Sequence, residues 1–199
     1  MSYSTTTLEE TLITKFITPS NEQGLGKIIY NEGSNESLIS NGKSLITYAN
    51  TELIESSNVQ SHERTQIVKL ANTLIHQNYG VLIACELYFS KDDVKDLLEY
   101  MDRYSFDKVE LTFNGKLGVV LASAVNNPSL VKILRTEQIN AFKATDMTST
   151  IEVEQLYNVL ELMHQEMSGD STLGIALQHN NRPVLIATEQ VSACIATIN

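Results

Sequence analysis

The chain has 199 residues, of which 24 are acidic and 14 basic, so its formal net charge is 14 − 24 = −10. This charge repels phosphate backbones and anionic membrane surfaces, and the basic residues form no cluster of four, so we expect no nucleic-acid partner and no direct membrane insertion. The length and the 42% hydrophobic content are typical of one globular unit, and we predict a single α+β domain over residues 1–199.

The N-terminal part of the chain predicts two helices with strands between them. A short helix is expected over residues 8–17, where apolar residues recur at helical spacing until Pro19 ends the pattern. Residues 27–30 predict a strand. Asn41-Gly42 separates two apolar segments and is the strongest two-residue hairpin signal, because both turn positions need positive φ. A second helix is predicted from about residue 61 to 79.

The remaining chain alternates helices with hairpins. Residues 81–89 predict a strand, and Ser90 begins a capping box for the helix that follows. A second hairpin turns at Asn114-Gly115, and a third turns at residues 179–182. Between them, the capping box Ser149-Thr-Ile-Glu predicts a long helix over residues 149–167.

One segment between these elements is ambiguous. Asn127-Pro128 is typical of a helix start, because proline is favoured at the first helical position. The short apolar run over residues 130–135 fits a helix or a strand equally well.

The element order predicts an α+β fold, with a mostly antiparallel sheet built from β-hairpins and three long helices packed on it. Hairpins make one-sided sheets, and helices must cover their apolar face. The three turns are similar in sequence, with Asn41, Asn114 and Asn180 at their centres. Their likeness indicates either a repeated helix-plus-hairpin unit or the ordinary chemistry of hairpin turns.

Catalytic motifs are missing from the sequence. There is no glycine-rich phosphate loop and no nucleophile elbow, and the four histidines show no ligand spacing with one another or with the two cysteines. We therefore predict a non-enzymatic binding protein without a cofactor. Glu86 could be a tuned carboxylate, but a strand residue facing solvent is the simpler interpretation. A small enzyme or ligand-sensing domain with a dispersed site is the alternative.

The helix predicted over residues 149–167 is the best candidate for a partner surface. Its charges are all acidic, and Ile151 and Leu162 fall on the side opposite its main apolar arc. We predict that Ile151, Glu154, Glu161 and Leu162 contact a protein partner that is basic or offers an apolar groove rimmed by cations. Packing of both sides within the domain is the alternative. A homo- or hetero-oligomer is compatible with either.

Two cysteines, Cys85 and Cys194, each lie within a short apolar segment. Neither has a histidine or cysteine at ligand spacing, so we predict free thiols, no disulfide and no structural metal. The N-terminus lacks the features of a signal peptide, and no apolar run is long enough to span a bilayer. These features favour a cytoplasmic protein.

The order helix, strands, helix, strands, helix in a small acidic chain resembles the chaperones of bacterial type III secretion and the small acidic adaptors of type IVB (Dot/Icm) secretion. The resemblance implies a cytoplasmic adaptor or chaperone that binds secretion substrates or a secretion coupling complex. A second alternative is an interaction protein similar to leucine-rich repeats, suggested by the 28 residues between Val81 and Val109.

Overall fold

A computed structural model of the chain describes residues 27–31, 36–49, 60–76, 85–114, 119–135, 138–141, 147–178 and 182–198. The helix predicted over residues 8–17 lies outside these ranges, as do Gly115 and most of the third hairpin turn. The strands are β1 Lys27–Asn31, β2 Glu36–Ser40, β3 Ser44–Tyr48, β4 Cys85–Phe89, β5 Lys108–Asn114, β6 Val119–Ala124, β7 Asn127–Arg135, β8 Gln138–Ala141, β9 Met147–Glu152, β10 Leu173–Leu177, β11 Val184–Ala187 and β12 Val191–Ile195. The helices are α1 Ser61–Ala71, which continues as a π-helical segment Asn72–His76, α2 Lys91–Tyr104 and α3 Val153–Glu166.

The strands form two antiparallel sheets, which confirms the predicted α+β fold. An eight-stranded sheet has the order β1-β2-β3-β12-β11-β10-β4-β8, and a four-stranded sheet has the order β7-β6-β5-β9. The chain twice repeats a unit of one strand, one helix and three strands: β4-α2-β5-β6-β7 and β9-α3-β10-β11-β12. The first strand of each unit pairs in the sheet of the other unit, β4 with β10 and β9 with β5. This exchange joins the two units through their backbones.

The helix α2 begins as the sequence predicts. The Ser90 hydroxyl accepts a hydrogen bond from the Asp93 backbone N–H, and the Asp93 carboxylate accepts one from the Ser90 N–H, both at 3.2 Å. The helix ends at Ser105, whose φ of 42° lies in the left-handed region. Its apolar stripe is buried and packs beside α3 in the main core.

The first hairpin forms where Asn41-Gly42 predicts it, with a different turn. Only Gly42 of these two residues has a positive φ, at 85°. The Asn41 side chain accepts hydrogen bonds from the backbone N–H groups of Lys43 and Ser44, at 3.0 and 2.7 Å. The Asn41 amide and the Ser44 hydroxyl also donate to the Gln155 side chain, so this turn is tied to the start of α3.

Two of the sequence-predicted helix starts are wrong. Asn127-Pro128 begins the strand β7, and residues 149–152 belong to β9. Met147, Ser149 and Ile151 are buried while the residues between them are more exposed, which is the two-residue period of a strand. Pairing with β5 supplies partners for the backbone of β9, and this tertiary contact outweighs the local capping signal. The helix α3 therefore begins at Val153, and Glu152 makes no side-chain capping bond.

The eight-stranded sheet carries a separate apolar cluster on each face. The main core lies on the face of α2 and α3 and extends to the four-stranded sheet. A smaller cluster lies on the opposite face, where α1 packs against β2, β3 and the centre of the sheet. We call this second side the outer face.

Candidate partner-binding groove

A row of small side chains crosses the outer face of the eight-stranded sheet. The strand register places Ser192, Ala187 and Gly174 side by side, with Tyr88 at the end of the row on β4. Small residues on adjacent strands leave a trough between larger neighbours. The trough has a volume of 430 Å³, and we call it the outer groove. Its lining consists of Ile75, Glu86, Tyr88, Thr172, Gly174, Ala187, Thr188, Glu189 and Ser192.

Gly174 keeps the floor of the outer groove open. A Cβ atom at this position would lie 3.6 Å from both the Glu86 Oε1 and the Tyr88 Cε1 atoms. That distance is an ordinary van der Waals contact, so alanine would fit, whereas a larger side chain would occupy the groove itself.

The rim of the outer groove is fixed by a hydrogen-bonded turn. The Thr188 backbone N–H donates to the Val191 carbonyl at 2.8 Å, and the Thr188 hydroxyl accepts from the Val191 N–H at 3.1 Å. The Gln190 N–H donates to the same hydroxyl at 3.4 Å. The turn holds Glu189 exposed beside the groove.

The lining of the outer groove combines negative charge with apolar contact. Among the described residues that line it, Glu86 and Glu189 are charged and none is basic. Ile75 of the π-helical segment supplies the apolar wall. Such a surface suits an extended polypeptide with a basic side chain and a neighbouring apolar one. Glu86 lies half-buried on the outer face of β4, so the simpler interpretation as a strand residue describes its position.

The structure places the sequence-predicted partner residues away from the outer groove. Ile151 and Leu162 are both 0% exposed and belong to the main core, so the expected exposed stripe is wrong. A single helix over residues 149–167 would place both on its far side, but Ile151 lies in β9 opposite Val109. Glu154 is exposed on the first turn of α3, and Glu161 is partly exposed. Their contact with a partner stays a prediction.

Glu154 borders a second, larger cleft of 680 Å³ at the start of α3. Four of its polar side chains are paired with one another. The Lys43 ammonium lies 2.6 Å from the Glu152 carboxylate, and the Tyr157 hydroxyl donates to Asp102 at 3.1 Å. The cleft thus offers less unpaired charge to a ligand than its composition indicates.

In the described ranges, the histidine, cysteine and acidic side chains form no metal site. No group of three or more His, Cys, Asp or Glu residues there could hold a metal ion. Cys194 is a free, buried thiol, and burial raises its pKa to about 12. Three strand spacings separate Cys194 on β12 from Cys85 on β4, or about 14 Å, which is too far for a disulfide.

Solved structures with the same architecture are consistently clamps of DNA polymerases. The DNA polymerase III beta subunit from Borrelia burgdorferi has a TM-score of 0.62 and 10% identity over 96% of this chain and 61% of its own. The DNA polymerase beta subunit of Streptococcus pyogenes has a TM-score of 0.59 and 11% identity, over 100% and 67%. The PCNA2–PCNA3 complex from Sulfolobus tokodaii has a TM-score of 0.57 and 12% identity, over 94% and 96%.

The chain has the sliding-clamp fold. At these identities the likeness concerns the fold alone. No family profile and no characterised protein matches the sequence. The chain spans about two thirds of the length of the two bacterial subunits above and 41% of the Bacillus subtilis clamp. The prediction of a non-enzymatic protein is consistent with this fold.

The sliding-clamp fold overturns four of the sequence-based expectations. The resemblance to secretion chaperones and adaptors is wrong, because it depended on element order and acidity, which many small α+β chains share. The leucine-rich-repeat and dispersed-enzyme alternatives do not match either. The exclusion of nucleic acid is contradicted as well, because it depended on charge alone and the solved structures that share the fold are subunits of DNA polymerases. No helix in the described part of the chain is long and apolar enough to cross a membrane.

The sequence analysis missed Gly174, Ala187 and Ser192. A signal was present on β10, where the small residues Gly174 and Ala176 alternate with Leu173, Ile175 and Leu177. Only the strand register shows that Gly174, Ala187 and Ser192 are neighbours.

Proposed function

We propose that the chain is a sliding-clamp protein that tethers a DNA polymerase, or another protein acting on DNA, and that the outer groove binds a segment of that partner. The observation that carries this proposal is the pair of strand-exchanged units with both helices on one face of the eight-stranded sheet. That arrangement matches nearly the full length of an archaeal clamp chain. The proposed function requires the chain to share a compartment with DNA, and in a cell whose DNA is cytoplasmic the chain would be cytoplasmic.

The net charge of the helices α2 and α3 distinguishes two ways of holding DNA, direct phosphate binding and enclosure. Together they carry three basic and eight acidic residues, 3 − 8 = −5. Two of the lysines on or near α2 are already paired, Lys95 with Glu99 and Lys132 with Asp96. Such a surface supports little direct phosphate binding. Retention by enclosure needs no strong phosphate contacts, and it is the mode that fits these charges.

Enclosure of DNA is compatible with an assembly of several subunits. We therefore retain the prediction of a homo- or hetero-oligomer, which light scattering on the purified protein would measure.

Primer extension by the replicative polymerase of the source organism tests the proposed function. The template is a singly primed linear DNA with open ends, and trap DNA limits each polymerase to one binding event. We expect longer products when the chain is present, because a tethered polymerase dissociates more slowly. Equal product lengths with and without the chain would refute the proposal.

A charge reversal tests the outer groove separately. Glu189→Lys changes an exposed residue of the rim, so it should lower partner binding several-fold at low salt while leaving the melting temperature unchanged. Glu154→Lys is the matched control, since it makes the same charge change on an exposed residue of α3. If Glu154→Lys weakened binding and Glu189→Lys did not, the partner surface would lie at α3 and not at the groove.

A further inference from the structure

The helix α1 covers an apolar strip on the outer face. The strand register aligns Leu45, Cys194, Leu185 and Ala176 in one row across β3, β12, β11 and β10. All four residues are buried, and Leu38 joins them on β2. The strip lies two residues along the strands from the small-residue row of the outer groove, so the two surfaces are continuous.

The contact residues of α1 are spaced to match this strip. Ile67, Ala71 and Ile75 are buried at positions i, i+4 and i+8, whereas Leu70 is 48% exposed. Eight residues of helix rise about 12 Å, and three strand spacings in the row measure about 14 Å. In an α-helix, side chains four residues apart differ by about 40° in direction around the helix axis, so a row of such side chains gradually turns away from the sheet. The π-helical turn at Asn72–His76 winds less per residue and brings Ile75 back towards the sheet.

The cluster under α1 is separate from the main core. It lies on the opposite face of the sheet. Among the described residues, α1 and its π-helical continuation bury three side chains in it, with Val68 and Leu74 partly buried against it, whereas α2 buries five side chains and α3 buries six. In the described part of the chain, loss of α1 from the sheet would leave the contacts of α2 and α3 with both sheets in place, because no α1 residue belongs to the main core. A segment with few buried contacts opens more readily than the protein unfolds as a whole.

We infer that α1 is a displaceable cover, and that the strip beneath it is a binding site for an amphipathic helix with apolar residues at i, i+4 and i+8. The occupant seen on the strip is such a helix, supplied by the chain itself. A partner helix with the same pattern would bind the same row of side chains once α1 has moved. This inference does not depend on the proposed clamp function, because it concerns α1 and the sheet alone.

Labelling of Cys194 measures the opening of α1. In full-length Cys85→Ser protein, Cys194 is the one remaining thiol, and it reacts with a chromogenic disulfide reagent only when the strip is uncovered. We expect labelling with a weak urea dependence, well below the urea concentration that unfolds the main core. Ile67→Ala should accelerate labelling about ten-fold or more with little change in the main unfolding transition. Leu70→Ala, on the exposed side of α1, is the control and should leave the rate unchanged.

A synthetic peptide of residues 60–76 tests the strip as a helix-binding site. Added to the Ile67→Ala protein, it should slow the labelling of Cys194 in a concentration-dependent manner. The same peptide carrying Ile67→Asp and Ile75→Asp should leave the rate of Cys194 labelling unchanged. Hydrogen exchange of the unsubstituted protein provides a second measurement, in which the amides of α1 should exchange faster than those of α2 and α3. Labelling that follows global unfolding in every variant, or a peptide without protection, would overturn the inference.

Discussion

Substitution of Leu162 by alanine distinguishes a packed α3 from an α3 that presents Leu162 to a partner. Leu162 is 0% exposed and lies in the main core, beside Leu160 and Met163 on a helix that faces both sheets. Removal of a buried leucine side chain forfeits its transfer free energy and leaves a cavity, which together cost about 3–5 kcal/mol. For a chain of this size, each kcal/mol lowers the melting temperature by about 2–4 °C. We therefore expect a fall of about 6–20 °C.

Thermal and urea unfolding of the purified protein measure this loss. Gln165→Ala is the matched control, because Gln165 lies on the same helix with an exposed side chain and should change stability by less than about 0.5 kcal/mol. An unchanged m-value would show that the mutation acts on the folded state. If Leu162→Ala cost less than about 1 kcal/mol, the side chain would lie outside a packed core, and the placement of α3 would be wrong.

Two further substitutions test the local structure around α3. Ser149 is buried in β9, and its hydroxyl has no hydrogen-bond partner among the described residues, so Ser149→Ala should leave stability unchanged or raise it by about 1 kcal/mol. A helix N-cap would lose about 1 kcal/mol instead, and urea unfolding distinguishes the two signs. Burial, together with the ammonium groups of Lys91 and Lys95, lowers the pKa of His164 below 6.5, with Asp92 opposing them. As the pH falls from above 6.5, the unfolded chain therefore takes up a proton before the folded protein does, and stability falls. The melting temperature of His164→Gln should decline less between pH 7.5 and 5.5 than that of the unsubstituted protein, and identical declines would contradict the pKa shift.

Local sequence signals succeeded where the neighbouring residues alone decide the structure. The Ser90 capping box begins α2 because its two hydrogen bonds join residues three apart. Asn41-Gly42 turns the first hairpin because the glycine takes a positive φ and the asparagine side chain binds the next two N–H groups. Alternating strands and amphipathic helices then imply an α+β fold, since each one-sided sheet must be covered.

Distant contacts decided the features that the sequence alone left open or misassigned. Residues 149–152 carry a helix-capping pattern, yet they form β9 because β5 offers a full set of backbone partners. The same pairing buries Ile151 and removes the exposed stripe that a single helix would have presented. The outer groove has a similar origin, because Gly174, Ala187 and Ser192 become neighbours only through the register of three strands. A one-dimensional pattern records the period of each element, whereas the exchange of strands between units depends on pairings between residues that are far apart in the chain.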